Sequence, residues 1–208
     1  MAEHIRQYLE SGAIRPAASA WNSPIVLVGK KDGSTRLCCD FRVLNSVTTK
    51  DKFPLPNIDT ILSEIGGKQI FSSIDLQQGF HQIKMDPNSV EKTAFSTPAG
   101  QWEWLLMPFG LCNAPATFQR LTNRLVEGLP FCAVYLDDII VYSTSWQEHI
   151  EHLRELFGRI RSANLRMKPK KCEFACRRLL FLGHVISSNG ISMQEDKMKA
   201  IQEVPFPS

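Results

Sequence analysis

Two apolar, β-forming runs, residues 133–136 and 139–142, are interrupted by the pair Asp137-Asp138. Charges placed in otherwise buried strands cost several kcal/mol unless they reach water, a partner or a metal. The segment therefore reads as a hairpin whose arms are buried and whose carboxylates lie at the tip. An ordinary acidic turn would satisfy the same pattern. Against it, the tip lacks the Gly or Asn that a two-residue turn usually takes. Neighbouring residues of a regular strand also face opposite ways, so both acids converge on one site only if the chain turns tightly between them.

A third carboxylate, Asp75, stands near the end of another strand, residues 69–76. If the two strands are neighbours, the acids form a cluster able to hold two divalent ions about 4 Å apart, the arrangement used in phosphoryl transfer. Oxygen ligands of this kind select Mg²⁺ or Mn²⁺ over zinc.

The remaining chain interleaves strands and helices without βαβ repetition. A short helix at residues 2–10 is closed by Ser11-Gly12. Residues 24–29 and 36–41 form a hairpin with a basic tip around Asp32-Gly33. A helix at 57–65 stops at Gly66-Gly67, and residues 80–85 read equally as extended or helical. Residues 93–97 and 101–107 suggest a strand pair. Asn113-Ala114-Pro115 opens a helix with Ala114, Phe118, Leu121 and Leu125 on one face. A further helix places Ile150, Leu153, Phe157 and Ile160 together, with His149 and His152 read as part of its solvated face. Residues 179–186 and 190–193 suggest a closing hairpin. The expected class is α+β, an antiparallel sheet backed by helices.

With 208 residues, 43% hydrophobic and 22% charged, the chain can bury a core without staples. Its six scattered cysteines do not form a disulfide framework, which points to a reducing, intracellular setting. No secretory leader is legible at the N-terminus, and no run suits a bilayer, so no membrane partner is expected. The net charge is only +3, yet residues 159–178 carry eight Lys or Arg against one acid, leaving the remainder weakly acidic. Such a stretch suits a phosphate backbone, or simply a solvated helix face and loop. No Walker loop or aspartic-protease box is present, and the spacing of Cys172, Cys176 and His184 fits no common zinc site.

Six segments together resemble the reverse transcriptases of gypsy-type LTR retrotransposons. They are Asp40-Phe41-Arg42-Val43-Leu44-Asn45; Phe71-Ser72-Ser73-Ile74-Asp75-Leu76-Gln77-Gln78-Gly79-Phe80-His81-Gln82-Ile83; Lys92-Thr93-Ala94-Phe95; Met107-Pro108-Phe109-Gly110-Leu111-Cys112-Asn113-Ala114-Pro115-Ala116-Thr117-Phe118-Gln119; Tyr135-Leu136-Asp137-Asp138-Ile139; and Phe181-Leu182-Gly183-His184. They occur in the family's order and spacing, over nearly the whole chain.

The resemblance implies a fingers region at about 1–68 and 86–106 and a palm at about 69–85 and 107–208. It implies RNA- and DNA-templated DNA synthesis, with a template–primer and dNTPs as partners and two Mg²⁺ as cofactor, Mn²⁺ being an alternative. Asp75, Asp137 and Asp138 would be the metal-site carboxylates. Lys30 and Arg36 would grip the triphosphate, with Leu76, Phe80 and Phe109 at the nucleotide and Phe80 as steric gate against a 2′-hydroxyl. Arg42, Gly110, Gln119 and Tyr135 would lie along template and primer, and Phe181, Leu182, Gly183 and His184 would form the primer grip. Lys168, Lys170 and Lys171 are candidate general acids among which the sequence does not choose. The family's thumb, connection and RNase H segments are expected to lie outside this chain, and reverse transcription implies the cytoplasm and nucleus as locations. The alternative is a weakly active or inactive transposon-derived nucleic-acid-binding domain. With phosphate contacts reduced by the missing thumb, synthesis is expected to be distributive and salt-sensitive.

Overall fold

The computed structural model describes residues 1–29, 33 and 35–193. Lys30, Lys31, Asp32 and Ser34 of the expected basic tip, and the chain from Gln194 onward, lie outside the described residues. In chain order the elements are α1 (Ala2–Glu10), β1 (Ile14–Pro16), β2 (Ile25–Gly29), β3 (Thr35–Cys39), α2 (Arg42–Val47), α3 (Ile58–Ile65) and β4 (Ile70–Asp75). There follow β5 (Phe95–Thr97), β6 (Gly100–Trp104), α4 (Ala114–Val126), β7 (Cys132–Tyr135), β8 (Asp138–Ser143) and α5 (Trp146–Ser162). The last four are β9 (Glu173–Cys176), β10 (Arg178–Phe181), β11 (His184–Ser187) and β12 (Gly190–Met193). All pairings between these strands are antiparallel, as the α+β reading expects.

The chain divides into two compact units, residues 1–53 with 78–118 and residues 54–77 with 119–208. The borders differ from those drawn for fingers and palm: 54–68 belong to the second unit, and 78–85 and 107–118 to the first.

The first unit holds the three-stranded sheet β1-β6-β5 and the hairpin β2-β3. Ile5 of α1, Leu37 and Cys39 of β3, and Phe41, Phe95 and Trp104 form its buried cluster. The ambiguous segment at 80–85 resolves into a 3-10 turn, Gly79–Gln82, after which Lys84 bridges to Leu106.

The second unit is built on the sheet β7-β8-β4-β9. Side chains alternate across a strand, and here both faces are covered. Phe71, Ala133, Ile140 and Tyr142 pack with Ile61, Leu62 and Ile65 of α3 and with Leu179, Phe181 and Ile186. The opposite set, including Ser72 and Ser143, meets α5. Burial on both sides explains why residues 139–142 read as a continuous apolar run. The closing hairpin expected over 179–193 is instead a three-stranded meander, because the chain reverses at Leu182 and Gly183, both at positive φ. On α5 the buried face is His149, Leu156 and Ile160, whereas Ile150 is exposed. The solvated-face reading of His149 is thus corrected: the imidazole is core, and its polar atoms are satisfied there. Among the described residues no helix is long and apolar enough to cross a membrane.

Gly79 shows how tightly the first unit is packed. A Cβ at this position would stand 2.7 Å from Cζ of Phe118, a ring that is itself fully buried. Gly79→Ala is expected to destabilise the protein by about 1–3 kcal/mol through overpacking. Urea denaturation of the two proteins checks it, and an unchanged midpoint would mean that the Phe118 ring can yield.

Candidate active site

β4 and β8 pair in register from Ile70↔Ser143 to Asp75↔Asp138, so two of the three carboxylates stand opposite one another at the same end of the sheet. The β7–β8 hairpin closes on the pair Tyr135↔Asp138, which makes Leu136-Asp137 the two-residue turn. The turn therefore lies one residue earlier than the acidic pair itself: Asp137 is exposed at the tip and Asp138 is the first, half-buried residue of the strand. Leu136 has φ +55°, a region where a two-residue hairpin usually needs Gly or Asn.

Gln119 holds that strained turn. Its Oε1 accepts from Leu136 N at 2.7 Å, and its Nε2 donates to Val134 O at 3.3 Å and to Asn123 Oδ1 at 2.7 Å. Expected along the template, Gln119 lies instead fully buried, with both ends of its amide committed to protein. Leu76, expected at the nucleotide, has its side chain in the core, 1% exposed, and is bridged to Met167.

Asp75 is anchored by its own backbone and by a lysine. Lys168 N donates to Asp75 O at 2.9 Å, and Lys171 Nζ donates to Asp75 Oδ2 at 2.9 Å. Of the three lysines weighed from sequence, Lys171 is the one whose side chain reaches this carboxylate. The Asp75 contact raises the Lys171 pKa, so the ammonium stays charged. Burial, followed by the neighbouring Asp137 and Asp75 carboxylates, pushes the Asp138 carboxyl up to about 6, and Lys171 offsets part of this. Among the described residues no three Asp, Glu, His or Cys side chains already converge as a ligand set. The second unit thus gathers negative charge at one sheet end and partly balances it with one cation.

In the first unit, the Phe80 ring lies 5.2 Å from Phe109 in a tilted contact and 5.5 Å from Phe118 edge to face, by ring centroids. The Arg36 guanidinium sits 5.3 Å over the Phe109 ring. The aromatic contacts continue from Phe109 to His81 at 5.2 Å, to Trp104 at 5.2 Å and to Tyr8 of α1 at 5.9 Å from His81. Gly110 (φ +97°) follows Phe109, and the loop is clamped by Asn45, whose Nδ2 donates to Gly110 O at 2.8 Å and whose Oδ1 accepts from Cys112 N at 2.9 Å. Arg42 is engaged by the Asp40 carboxylate beside it but remains largely exposed. Sequence reading passed over Asn45 and His81 as separate contributors. Asn inside a helix is the one available hint, because it favours bonds to nearby backbone over helix continuation.

Of the expected primer grip, Phe181 is buried in the second unit's core, while Leu182 and Gly183 form the turn and His184 Nδ1 lies 3.2 Å from Leu182 O. Tyr135 packs against the same core.

The family model for reverse transcriptase (RNA-dependent DNA polymerase) matches residues 28–186. The chain belongs to the reverse transcriptase family. It is 45% identical to the retrovirus-related Pol polyprotein from transposon 297 of Drosophila melanogaster, over 98% of this chain and 20% of that protein. It is 38% identical to the Pol polyprotein from transposon gypsy of the same organism, again over 98% of this chain and 20% of the relative. Reverse transcriptase structures share the fold. The foamy viral protease-reverse transcriptase in complex with dsDNA matches with TM-score 0.91 and 28% identity, covering 99% of this chain and 43% of that one. The same enzyme in complex with an RNA/DNA hybrid matches with TM-score 0.88 and 28% identity, over 98% and 27% of the two chains. This reverse transcriptase segment therefore spans about a fifth of the length of the transposon polyproteins.

His81 yields a prediction about acid stability. Burial, aided by the nearby Arg36 charge, pushes its pKa down to about 4, and its Nε2 is buried without a hydrogen-bond partner. The unfolded chain takes up a proton near pH 6.5, whereas the folded state stays neutral until much lower pH. The His81 contribution to stability is therefore full above about pH 6.5 and is lost as pH falls from there towards the folded pKa. His81→Phe is expected to flatten this acid limb by about 1 kcal/mol, less than full conversion of the shift because the residue keeps some solvent contact. Urea midpoints of both proteins between pH 7 and pH 4.5 measure it; parallel curves would sink the idea.

Proposed function

We propose that this chain carries out template-directed DNA synthesis, adding dNTPs to a primer 3′-hydroxyl on an RNA or DNA template. The observation that carries the reading is the register pair Asp75↔Asp138 with Asp137 at the adjoining turn, in a chain of the reverse transcriptase family. Support comes from the foamy viral reverse transcriptase, whose fold this chain shares and whose structures hold dsDNA and an RNA/DNA hybrid. In this reading the three carboxylates belong to the palm, and Lys30 and Arg36 to the fingers.

The donor set suits hard divalent cations. Three carboxylates lie close enough that Asp137 and Asp75 raise the Asp138 pKa, a repulsion that positive charge relieves. Asp75, Asp137 and Asp138 would hold two Mg²⁺ ions, or Mn²⁺. When bound, such ions supply Lewis-acid activation of the primer hydroxyl and neutralise charge on the phosphates and the leaving pyrophosphate. Lys171, held charged beside Asp75, is the lysine we assign to donate a proton to the pyrophosphate. In the fingers, Arg36 and Lys30 would meet the triphosphate; in the palm, Phe80, in contact with the rings of Phe109 and Phe118, would be the ring that leaves no space for a 2′-hydroxyl. Arg42 and the Gly110 loop would meet the template. The turn from Phe181 to His184 would hold the primer end.

Extension of oligo(dT) on poly(rA) with Mg²⁺ is the test. Asp137→Asn is expected to lower the rate by on the order of 100-fold or more, the several kcal/mol that metal-based charge stabilisation supplies. Equal extension by parent and variant would assign the activity to a contaminant and remove the proposal.

A further inference from the structure

The second unit contains a buried hydrogen-bonded chain that the proposed chemistry does not use. It runs through Ser72 of β4, His149 of α5 and Ser143 of β8, which are 0%, 1% and 2% exposed. Ser72 Oγ lies 2.7 Å from His149 Nε2, and Ser143 Oγ lies 2.8 Å from both His149 Nδ1 and His152 Nδ1. At its outer end His152 stacks flat on Phe131, with centroids 3.7 Å apart.

The inner end of the chain meets β9. Between the pairs Phe71↔Cys176 and Ser73↔Glu173, β9 carries one residue more than β4, which is a β-bulge. Within it Ala175 has φ +54°, a conformation an L-residue keeps only where its surroundings hold it. The hold is visible: Ala175 N donates to Ser72 Oγ at 2.8 Å.

Counting protons gives the chain a direction. Because Ser72 Oγ already accepts from Ala175, its own O–H is free to donate to His149 Nε2. His149 Nδ1–H then donates to Ser143 Oγ, whose single O–H goes to His152 Nδ1. The reverse order would leave the Ser72 proton without a partner in this chain. Burial and the neighbouring His152 lower the His149 pKa, which favours the neutral ring that this order needs.

β9 begins directly after the turn that presents the active-site lysine. Pro169–Lys171 is a 3-10 turn, Lys171 N donates to Lys168 O, and Lys168 N donates to Asp75 O, both at 2.9 Å. The turn is therefore fixed at one end by the terminus of β4 and at the other by the bulged strand. We propose that His149 is a positioning residue: through Ser72 it fixes the bulge at Ala175, and with it the strand that anchors the far end of the turn holding Lys171 at Asp75. The role given to Lys171 rests on the polymerase reading; the structural coupling does not.

The test compares Ser72→Ala, His149→Phe and His149→Gln in the 208-residue chain. Hydrogen exchange of the Ala175 amide, followed by NMR, reads the coupling without any activity. Ser72→Ala and His149→Phe should speed this exchange about tenfold or more, as expected when a buried donor loses its anchored partner. Amides of β7 and β8 should not follow. His149→Gln, which keeps an acceptor for the Ser72 hydroxyl, should restore much of the protection. Single-turnover incorporation at saturating dNTP should fall about tenfold in Ser72→Ala with KM for dNTP unchanged, again the loss of one buried hydrogen bond. That fall should vanish when Lys171→Met is already present. Unchanged exchange at Ala175, an equal rise at β7 and β8, or the same rate loss with and without Lys171 would each overturn the positioning role. If the unaltered chain incorporates nothing, the polymerase reading fails, and the exchange measurements alone decide the coupling.

Discussion

The antiparallel register of β4 on β8 is the constraint on which the rest of the second unit depends. It places Asp75 directly across from Asp138, and the next turn adds Asp137. Nothing about this juxtaposition is favourable in itself, since like charges at one sheet end repel and partial burial raises the cost of ionising Asp138. The register is imposed by the residues behind it. Phe71, Ile74, Ile139, Ile140 and Val141 are completely buried, and a slip of one residue would turn every one of them to the opposite face. Apolar packing therefore holds acids where electrostatics alone would not, and Lys171 relieves part of the repulsion.

Both units fix a demanding turn with a neutral carboxamide. In the second unit Gln119 bonds Leu136 N and Val134 O, and in the first Asn45 bonds Gly110 O and Cys112 N. A carboxamide offers a donor and an acceptor on one rigid plane, so it can satisfy an N–H and a C=O of the same loop together. It also adds no net charge. Beside a carboxylate cluster that neutrality matters, because a charged anchor at Gln119 would shift the acids it positions.

The motif-bearing parts of this arrangement were legible in the chain. The apolar arms around Asp137-Asp138, the strand ending near Asp75 and the Asn113-Ala114-Pro115 helix start follow from local patterning, and the structure contains each of them. Elements that depend on a distant partner were not. Leu136 carries no turn signal, because its positive φ is maintained by Gln119, seventeen residues earlier in the chain. Leu182 interrupts what reads as one apolar strand, and only pairing with β11 reveals the reversal. His149 reads as solvated because its hydrogen-bond partners, Ser72 and Ser143, come from two other elements.

The same logic explains why the bulge in β9 accompanies the polar face of the central sheet. At Ser72 and Ser143 that sheet places hydroxyls where its neighbours are apolar, and a buried hydroxyl needs partners for both its proton and its lone pairs. An all-hydrocarbon α5 would leave them unsatisfied. An imidazole spans the gap because its two nitrogens lie on opposite sides of one ring and reach two strands at once. The Ser72 lone pair left over then accepts from Ala175, whose N–H lies in the irregular stretch of the ladder. The hydroxyls, the histidine and the bulge thus form one solution to one accounting problem. Replacing any member by an apolar residue leaves a buried polar atom of another member without its bond. The unit ends on β9, the strand that follows the Pro169–Lys171 turn, and the Lys171 ammonium of that turn bonds Asp75.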